Sequence, residues 1–201
     1  MSSVETIIPL AKGKRGVVSL LHKQGKLYVI KEKNPLSKAP QALLNEAKFL
    51  HILNKHNIGP KLITSSPDCL LMEYVEGARI QQYLQTCNKQ QAVHILQQIL
   101  HQLHTMDVLG INKYEMTNPY KHIIITHHLE PIMIDFERCK YTKKPKNVTQ
   151  FLQYLARQNI LTILHQKGFN WERTYLLRIA QEYKKNMDKK LIDQLFKGIV
   201  S

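Results

Sequence analysis

Two short apolar runs in this chain each end in one charge. Tyr28-Val29-Ile30 runs into Lys31, and Ile132-Met133-Ile134 runs into Asp135. A charge at the end of a strand-like run is costly to bury unless something pairs with it. An ammonium there suits phosphate oxygens, and a carboxylate facing a cleft suits a hard divalent cation such as Mg²⁺. A third charge, Glu46, stands three residues after Leu43 and four before Leu50. It therefore lies beside the apolar stripe of a helix, where a carboxylate wants a cationic partner, and Lys31 is the natural one. Plainer readings exist for each: an edge-strand lysine in solvent, a glutamate reaching water, an aspartate capping a helix or pairing with Arg138.

Two weaker motifs flank these charges. In Ala11-Lys12-Gly13-Lys14-Arg15-Gly16-Val17-Val18, glycines three apart precede a strand. Such a turn can close over phosphates because no Cβ blocks the backbone, although a plain loop before a hairpin explains it more simply. Leu71-Met72-Glu73-Tyr74-Val75-Glu76-Gly77 is a strand entering a glycine turn, whose backbone could read the edge of a planar base.

Taken in order, glycine loop, strand lysine, helix glutamate, hinge and strand-end aspartate follow the protein-kinase pattern. The chain resembles the protein kinase-like superfamily over about residues 11–137. It looks most like the minimal archaeal predicted serine/threonine kinases, which are similar to the RIO kinases and to the small kinase-like ATPase of the tRNA threonylcarbamoyladenosine complex. The resemblance implies ATP and Mg²⁺ as cofactors. Gly13, Gly16 and Val18 would cover the nucleotide, and Lys31 would hold its α/β-phosphates while paired with Glu46. Met72 would stand at the gatekeeper position, Glu73 and Val75 would offer backbone groups to adenine, and Asp135 would bind the metal.

The departures from the pattern are specific. Ala11 replaces the first glycine, and the metal-binding triplet reads Asp135-Phe136-Glu137, without its glycine. No Ala-Pro-Glu segment is present, and Tyr141 to Gln150 leaves no room for a long activation loop. The catalytic loop aligns best as Lys113-Tyr114-Glu115-Met116, which puts Glu115 at the base position. Five residues on stands Tyr120, a poor metal ligand, so His122 or Asn118 would have to supply the second contact. A glutamate is one methylene longer than aspartate but can still accept or orient a hydroxyl proton. The alternative is a surface glutamate in a nucleotide-binding pseudokinase.

The elements that must position these residues are legible. Gly16–Leu21 and Lys26–Lys31 read as a hairpin turning at Gln24-Gly25. A helix opens at Ser37 or near Pro40 and reaches about Lys55, with Leu43, Ala47 and Leu50 on its apolar face. Leu62–Thr64 and Cys69–Tyr74 form a second hairpin, turning at Ser65 to Asp68. Helices are expected over Ile80–Cys87 and Lys89–Met106, then a loop over Gly110–Lys121. His122–Thr126 and Pro131–Asp135 form a third hairpin. Three helices complete the chain: one from near Val148 to Gln166, one capped by Asn170, and one capped by Asp188.

The chain has 201 residues and a net charge of +14. The first hundred residues hold 13 lysines and arginines against 6 acids, the rest 16 against 9, so the excess is spread out. Such a field attracts phosphate-rich partners, RNA among them. Lys143, Lys144 and Lys146, with Lys184, Lys185, Lys189 and Lys190, are candidate RNA contacts or solvated outer faces. His94, His101 and His104 read as the flank of a helix, His127-His128 as a hairpin turn, and Phe169 and Trp171, beside a helix cap, as core or a hydrophobic staple. No apolar run is long enough to span a membrane, and Met1–Pro9 lacks a secretory pattern. Cys69, Cys87 and Cys139 have neither zinc spacing nor a disulfide framework, which fits a reducing, cytoplasmic setting.

The expectation is an α+β, two-lobed protein kinase-like fold. Residues 1–75 would form a small antiparallel β-rich N-lobe and residues 76–201 a reduced, mainly helical C-lobe. The expected activity is ATP·Mg-dependent phosphoryl transfer to a serine or threonine hydroxyl of an unidentified protein substrate, as in an atypical serine/threonine protein kinase. Glu115, Asp135 and Lys31 would be catalytic, with Asp135 and His122 at the metal. The alternatives are a pseudokinase module and an ATPase serving a tRNA or ribosome complex.

Overall fold

The computed structural model describes residues 5–12, 16–34 and 41–199. The chain is α+β and divides into two compact units. The first comprises the described residues up to Val75 together with Ile134–Cys139; the second comprises Glu76–Met133 and the described residues from Lys140. The stretch that carries Asp135 therefore belongs with the first unit, although sequence order places it among elements of the second.

The first unit is built on five antiparallel strands: β1 (Thr6–Lys12), β2 (Gly16–Lys23), β3 (Lys26–Lys33), β4 (Leu62–Ser65) and β5 (Cys69–Glu73), in the order β1-β2-β3-β5-β4. β1 is an addition to the expected strands. Its Ile7, Ile8 and Leu10 are largely exposed, so no buried alternation marks it in the sequence. The β2–β3 turn places Gln24 at φ 52° and Gly25 at φ 73°. Two successive left-handed residues match the right-handed twist of a hairpin.

Helix α1 (Ala42–Leu53) buries Leu43, Ala47, Phe49, Leu50 and Leu53. The starts suggested at Ser37 and Pro40 lie outside the described residues. A 3-10 turn, Asn54–His56, extends α1, and Asn57 at φ 56° ends it. The Asn54 amide then staples the connection to β4. Its Nδ2 donates to the carbonyls of Ile58 and Pro60, and its Oδ1 accepts from the Leu62 N–H.

The second unit contains α2 (Ile80–Thr86), α3 (Lys89–Val108), α4 (Asn147–Leu155), α5 (Gln158–Gln166), α6 (Arg173–Asn186) and α7 (Lys189–Gln194). Three short strands, β6 (Ala78–Arg79), β8 (Ile123–Ile125) and β9 (Pro131–Met133), form one sheet. β7 (Ile111–Asn112) and β10 (Lys140–Tyr141) form another. Asn88 caps α3 in a reciprocal capping box with Gln91. Asp188 caps α7 through the Lys190 N–H.

Two expectations are corrected here. The helix expected over 148–166 is two helices. The α4 stripe, Val148, Phe151, Leu152 and Leu155, would continue at Asn159 and Thr162 in an unbroken helix. The next buried apolar residues are instead Ile160, Leu161 and Leu164, so the chain breaks at Ala156-Arg157 to bring them inward. Among the described residues the C-terminal helices thus number four. Asn170 also caps nothing: α6 starts at Arg173 behind Glu172, without a side-chain cap. Among the described residues, no helix is long and apolar enough to cross a membrane.

Candidate functional site

The first unit gathers Lys31, Glu46 and Asp135. Lys31 stands on β3 opposite Val18 of β2 and Leu70 of β5. Residues directly opposite in antiparallel strands share a face, as do residues two apart along one strand. Val18, Val29, Lys31, Leu70 and Met72 therefore form a single surface, apolar except for the ammonium. Lys31 Nζ donates to both carboxylate oxygens of Glu46 at 2.8 Å and to Asp135 Oδ1 at 3.4 Å.

Burial grades the three charges. The Glu46 side chain is 1% exposed, that of Lys31 19%, and that of Asp135 36%. Burial works against the Lys31 charge, but the Glu46 and Asp135 carboxylates outweigh it and raise its pKa, so it stays an ammonium. Burial pushes Glu46 above the usual carboxylate range, assisted by the Asp135 charge and opposed by Lys31. The trio is therefore closed on the Glu46 side and open to solvent on the Asp135 side.

The backbone around Asp135 is held from α1. Glu46 Oε1 accepts the Phe136 N–H at 3.2 Å. One residue earlier on α1, Asn45 Nδ2 donates to the carbonyls of Glu137 and Cys139, each at 2.8 Å. The Phe136 ring is fully buried, and a Cβ on Gly59 would stand 2.8 Å from its edge. Asp135 itself adopts φ 69°. The left-handed region is uncommon for residues other than glycine, though aspartate tolerates it best, and such conformations concentrate at functional sites.

The flanking motifs are placed as follows. Gly13, with Lys14 and Arg15, lies outside the described residues. Gly16 pairs with Lys33, and a Cβ there would run into the Glu32 carbonyl oxygen, so strand packing alone demands a glycine. Met72 is buried in β5. The Glu73 N–H donates to the Lys61 carbonyl at 2.9 Å, which commits that group to the sheet. Val75, half-buried, ends the first of the two stretches that make up the first unit.

The second unit holds Glu115 on a 3-10 turn, Tyr114–Thr117. Its Oε2 lies 3.3 Å from Lys113 Nζ; the Lys113 side chain is fully buried and that of Glu115 is 12% exposed. A buried network positions this turn. Asn147 Oδ1 accepts the Lys113 N–H at 2.7 Å, and Asn147 Nδ2 donates to the Ile111 carbonyl and to Asp107 Oδ1. Asp107 also accepts the N–H groups of Asn147 and Val148. Burial lifts Asp107 to about 6 against the pull of these donors. Next to this network on α3, His104 Nδ1 hydrogen-bonds the Tyr183 hydroxyl of α6 at 2.8 Å. Burial, with Lys189 and His101 nearby, lowers the pKa of His104.

The residues suggested as second metal contacts lie in a following 3-10 turn, Pro119–Lys121, and at its ends. Asn118 and Tyr120 line an open depression with Gln81, Gln82 and Gln85 of α2. The His122 N–H closes the turn on the Pro119 carbonyl at 2.8 Å. Among the described residues, no group of three or more His, Cys, Asp or Glu side chains is arranged to hold a metal ion.

Sequence reasoning missed Asn45, Asp107 and Asn147. Asp107 carried a signal: it lies four residues after Leu103 on the buried stripe of α3, the position that singled out Glu46 on α1. Asn45 and Asn147 carried none, because their partners are backbone groups distant in sequence.

No protein-family model matches the chain. One curated relative, "Uncharacterized protein MJ1211" of Methanocaldococcus jannaschii, is 25% identical over 117 residues. The match spans 57% of this chain and 99% of that protein.

Proposed function

We propose that the chain binds ATP with Mg²⁺ and transfers its γ-phosphoryl group to a serine or threonine hydroxyl. The Lys31–Glu46–Asp135 trio carries this reading. A lysine clamped by a buried glutamate is oriented as well as charged, ready to take phosphate oxygens. Asp135, a third exposed and held by its backbone, suits a metal riding on those phosphates. The half-buried Val18 and Val29 beside Lys31 offer apolar contact to a planar base. Phosphoryl transfer depends mainly on positioning and charge stabilisation, which fixed groups of this kind can supply. Glu115 is the candidate to orient the acceptor hydroxyl.

A second reading is a nucleotide-binding module without transfer. It is favoured by Glu115 itself, whose carboxylate is little exposed and faces the fully buried Lys113 ammonium. A carboxylate engaged in this way is less available to a substrate hydroxyl. An ATPase serving an RNA complex would use the same trio with water as acceptor.

Radiolabelled ATP with and without Mg²⁺ separates these readings. Mg²⁺-dependent label on an added protein acceptor or on the chain itself is the expected result. Free phosphate alone would indicate an ATPase, and binding without either product the module. Glu115→Gln should slow transfer at least tenfold while leaving ATP affinity unchanged; an unaltered rate would remove Glu115 from the chemistry.

A further inference from the structure

From Arg138 to Trp171 the chain carries seven lysines and arginines and no carboxylate. Four of them, Lys140, Lys143, Lys144 and Lys146, fall within seven residues, and all four are exposed. Like charges this close repel one another, and a charge run that only keeps a protein soluble gains nothing from a fixed backbone. This backbone is fixed. Lys140 and Tyr141 pair with Asn112 and Ile111 in the β7–β10 ladder. The Thr142 N–H donates to the Gly110 carbonyl at 2.8 Å, the Lys144 N–H to Thr142 Oγ1 at 3.2 Å, and the Lys146 N–H to Asn112 Oδ1 at 2.7 Å. Pro145 is buried between its exposed neighbours.

Two aromatic rings accompany the lysines. Tyr141 is 52% exposed. Lys140 Nζ lies 4.6 Å from the centroid of the Tyr114 ring, within cation–π range. We propose that residues 140–146, with Tyr114, form a binding surface for single-stranded RNA. The lysines take phosphates, and Tyr141 stacks on an unpaired base. An acidic peptide would satisfy the lysines but brings no planar group to the exposed part of the ring. A duplex would also satisfy them, but its bases are already stacked. Asn112, whose side chain holds Lys146, directly precedes Lys113. The surface is thereby tied to the turn that carries Glu115. The assignment shares no residue with the Lys31 trio and does not depend on the nucleotide reading.

The test is fluorescence anisotropy of a labelled oligouridine RNA with the full chain across a salt series. Affinity should fall with salt, and Lys143→Gln/Lys144→Gln should reduce the log–log slope by about 1.4, or ~0.7 per lost phosphate contact. Tyr141→Ala should weaken binding about tenfold with the slope unchanged, in line with the ~1–3 kcal/mol that stacking on one base contributes. Tyr141→Phe should restore it. Lys184→Gln/Lys185→Gln, which removes two exposed lysines from α6, should change neither affinity nor slope by comparable amounts. Asp135→Asn should leave RNA binding intact. The proposal is overturned if the α6 variant weakens binding as much as the 143/144 variant, or if duplex RNA or a polyglutamate peptide binds as tightly as the single strand. Absence of RNA binding overturns it equally.

Discussion

Replacing Lys31 with methionine should destabilise the first unit by about 3–5 kcal/mol near pH 8, the typical cost of removing one partner from a buried ion pair. Glu46 is 1% exposed and accepts two hydrogen bonds from Lys31 at 2.8 Å and one from the Phe136 N–H at 3.2 Å. In the variant only the last survives, and the carboxylate has no water to replace the ammonium. The loss should depend on pH. Burial already raises the Glu46 pKa, and Lys31 opposes that rise. Without Lys31 the native state holds the Glu46 proton to higher pH than the unfolded chain does. The variant's deficit is then small while Glu46 is protonated in both native proteins and grows by ~1.4 kcal/mol per pH unit above the raised wild-type native pKa, until the still higher native value of the variant is reached. Urea unfolding at pH 5 and pH 8, followed by far-UV circular dichroism with amide exchange in β3 and α1, measures both effects. Lys31→Met/Glu46→Leu should recover stability to within about 1 kcal/mol of wild type, because well-packed apolar replacements of buried ion pairs are often neutral. A single variant within ~0.5 kcal/mol of wild type at pH 8 would show that Glu46 reaches water, and the clamp on Lys31 would not exist.

The reasons some of this was legible in the sequence are physical. Glu46 and Lys31 betrayed themselves because a charge on an apolar stripe or at the end of an apolar run needs a partner. Their pairing across 15 residues could therefore be inferred before any coordinates. The Gln24-Gly25 turn and the β4–β5 hairpin were legible because turn chemistry and β-branched runs are local signals. β1 was not, since its apolar residues face solvent and leave no burial pattern. The break between α4 and α5 was readable only as a phase jump in the apolar stripe, because no glycine or proline marks it. The clamp on the Asp135 backbone by Asn45 was not readable at all: its acceptors are carbonyls some ninety residues away.

Two further outcomes follow from the same contacts. With Asp107 at about 6 in the native state and an ordinary value of 3.8, the native chain binds more protons between those values, so stability falls as pH rises through that window. Asp107→Asn should remove this component, and the pH 4-to-7 change in unfolding free energy should differ from wild type by about 2 kcal/mol; parallel curves would place Asp107 in contact with water. Gly59→Ala should cost about 1–3 kcal/mol, because φ is 83° and the new Cβ would press on the Phe136 ring and the Leu50 side chain. A smaller loss in urea unfolding would mean that the Phe136 packing yields.

The most direct measurement is the Mg²⁺ dependence of ATP binding by wild type and Asp135→Asn, followed by titration calorimetry. Wild type should bind ATP more tightly with Mg²⁺ than without it. Asp135→Asn should lose that enhancement and keep metal-free binding through Lys31. Equal Mg²⁺ enhancement in both proteins, or no ATP binding by either, would contradict the assignment of Lys31 and Asp135 to a nucleotide and its metal.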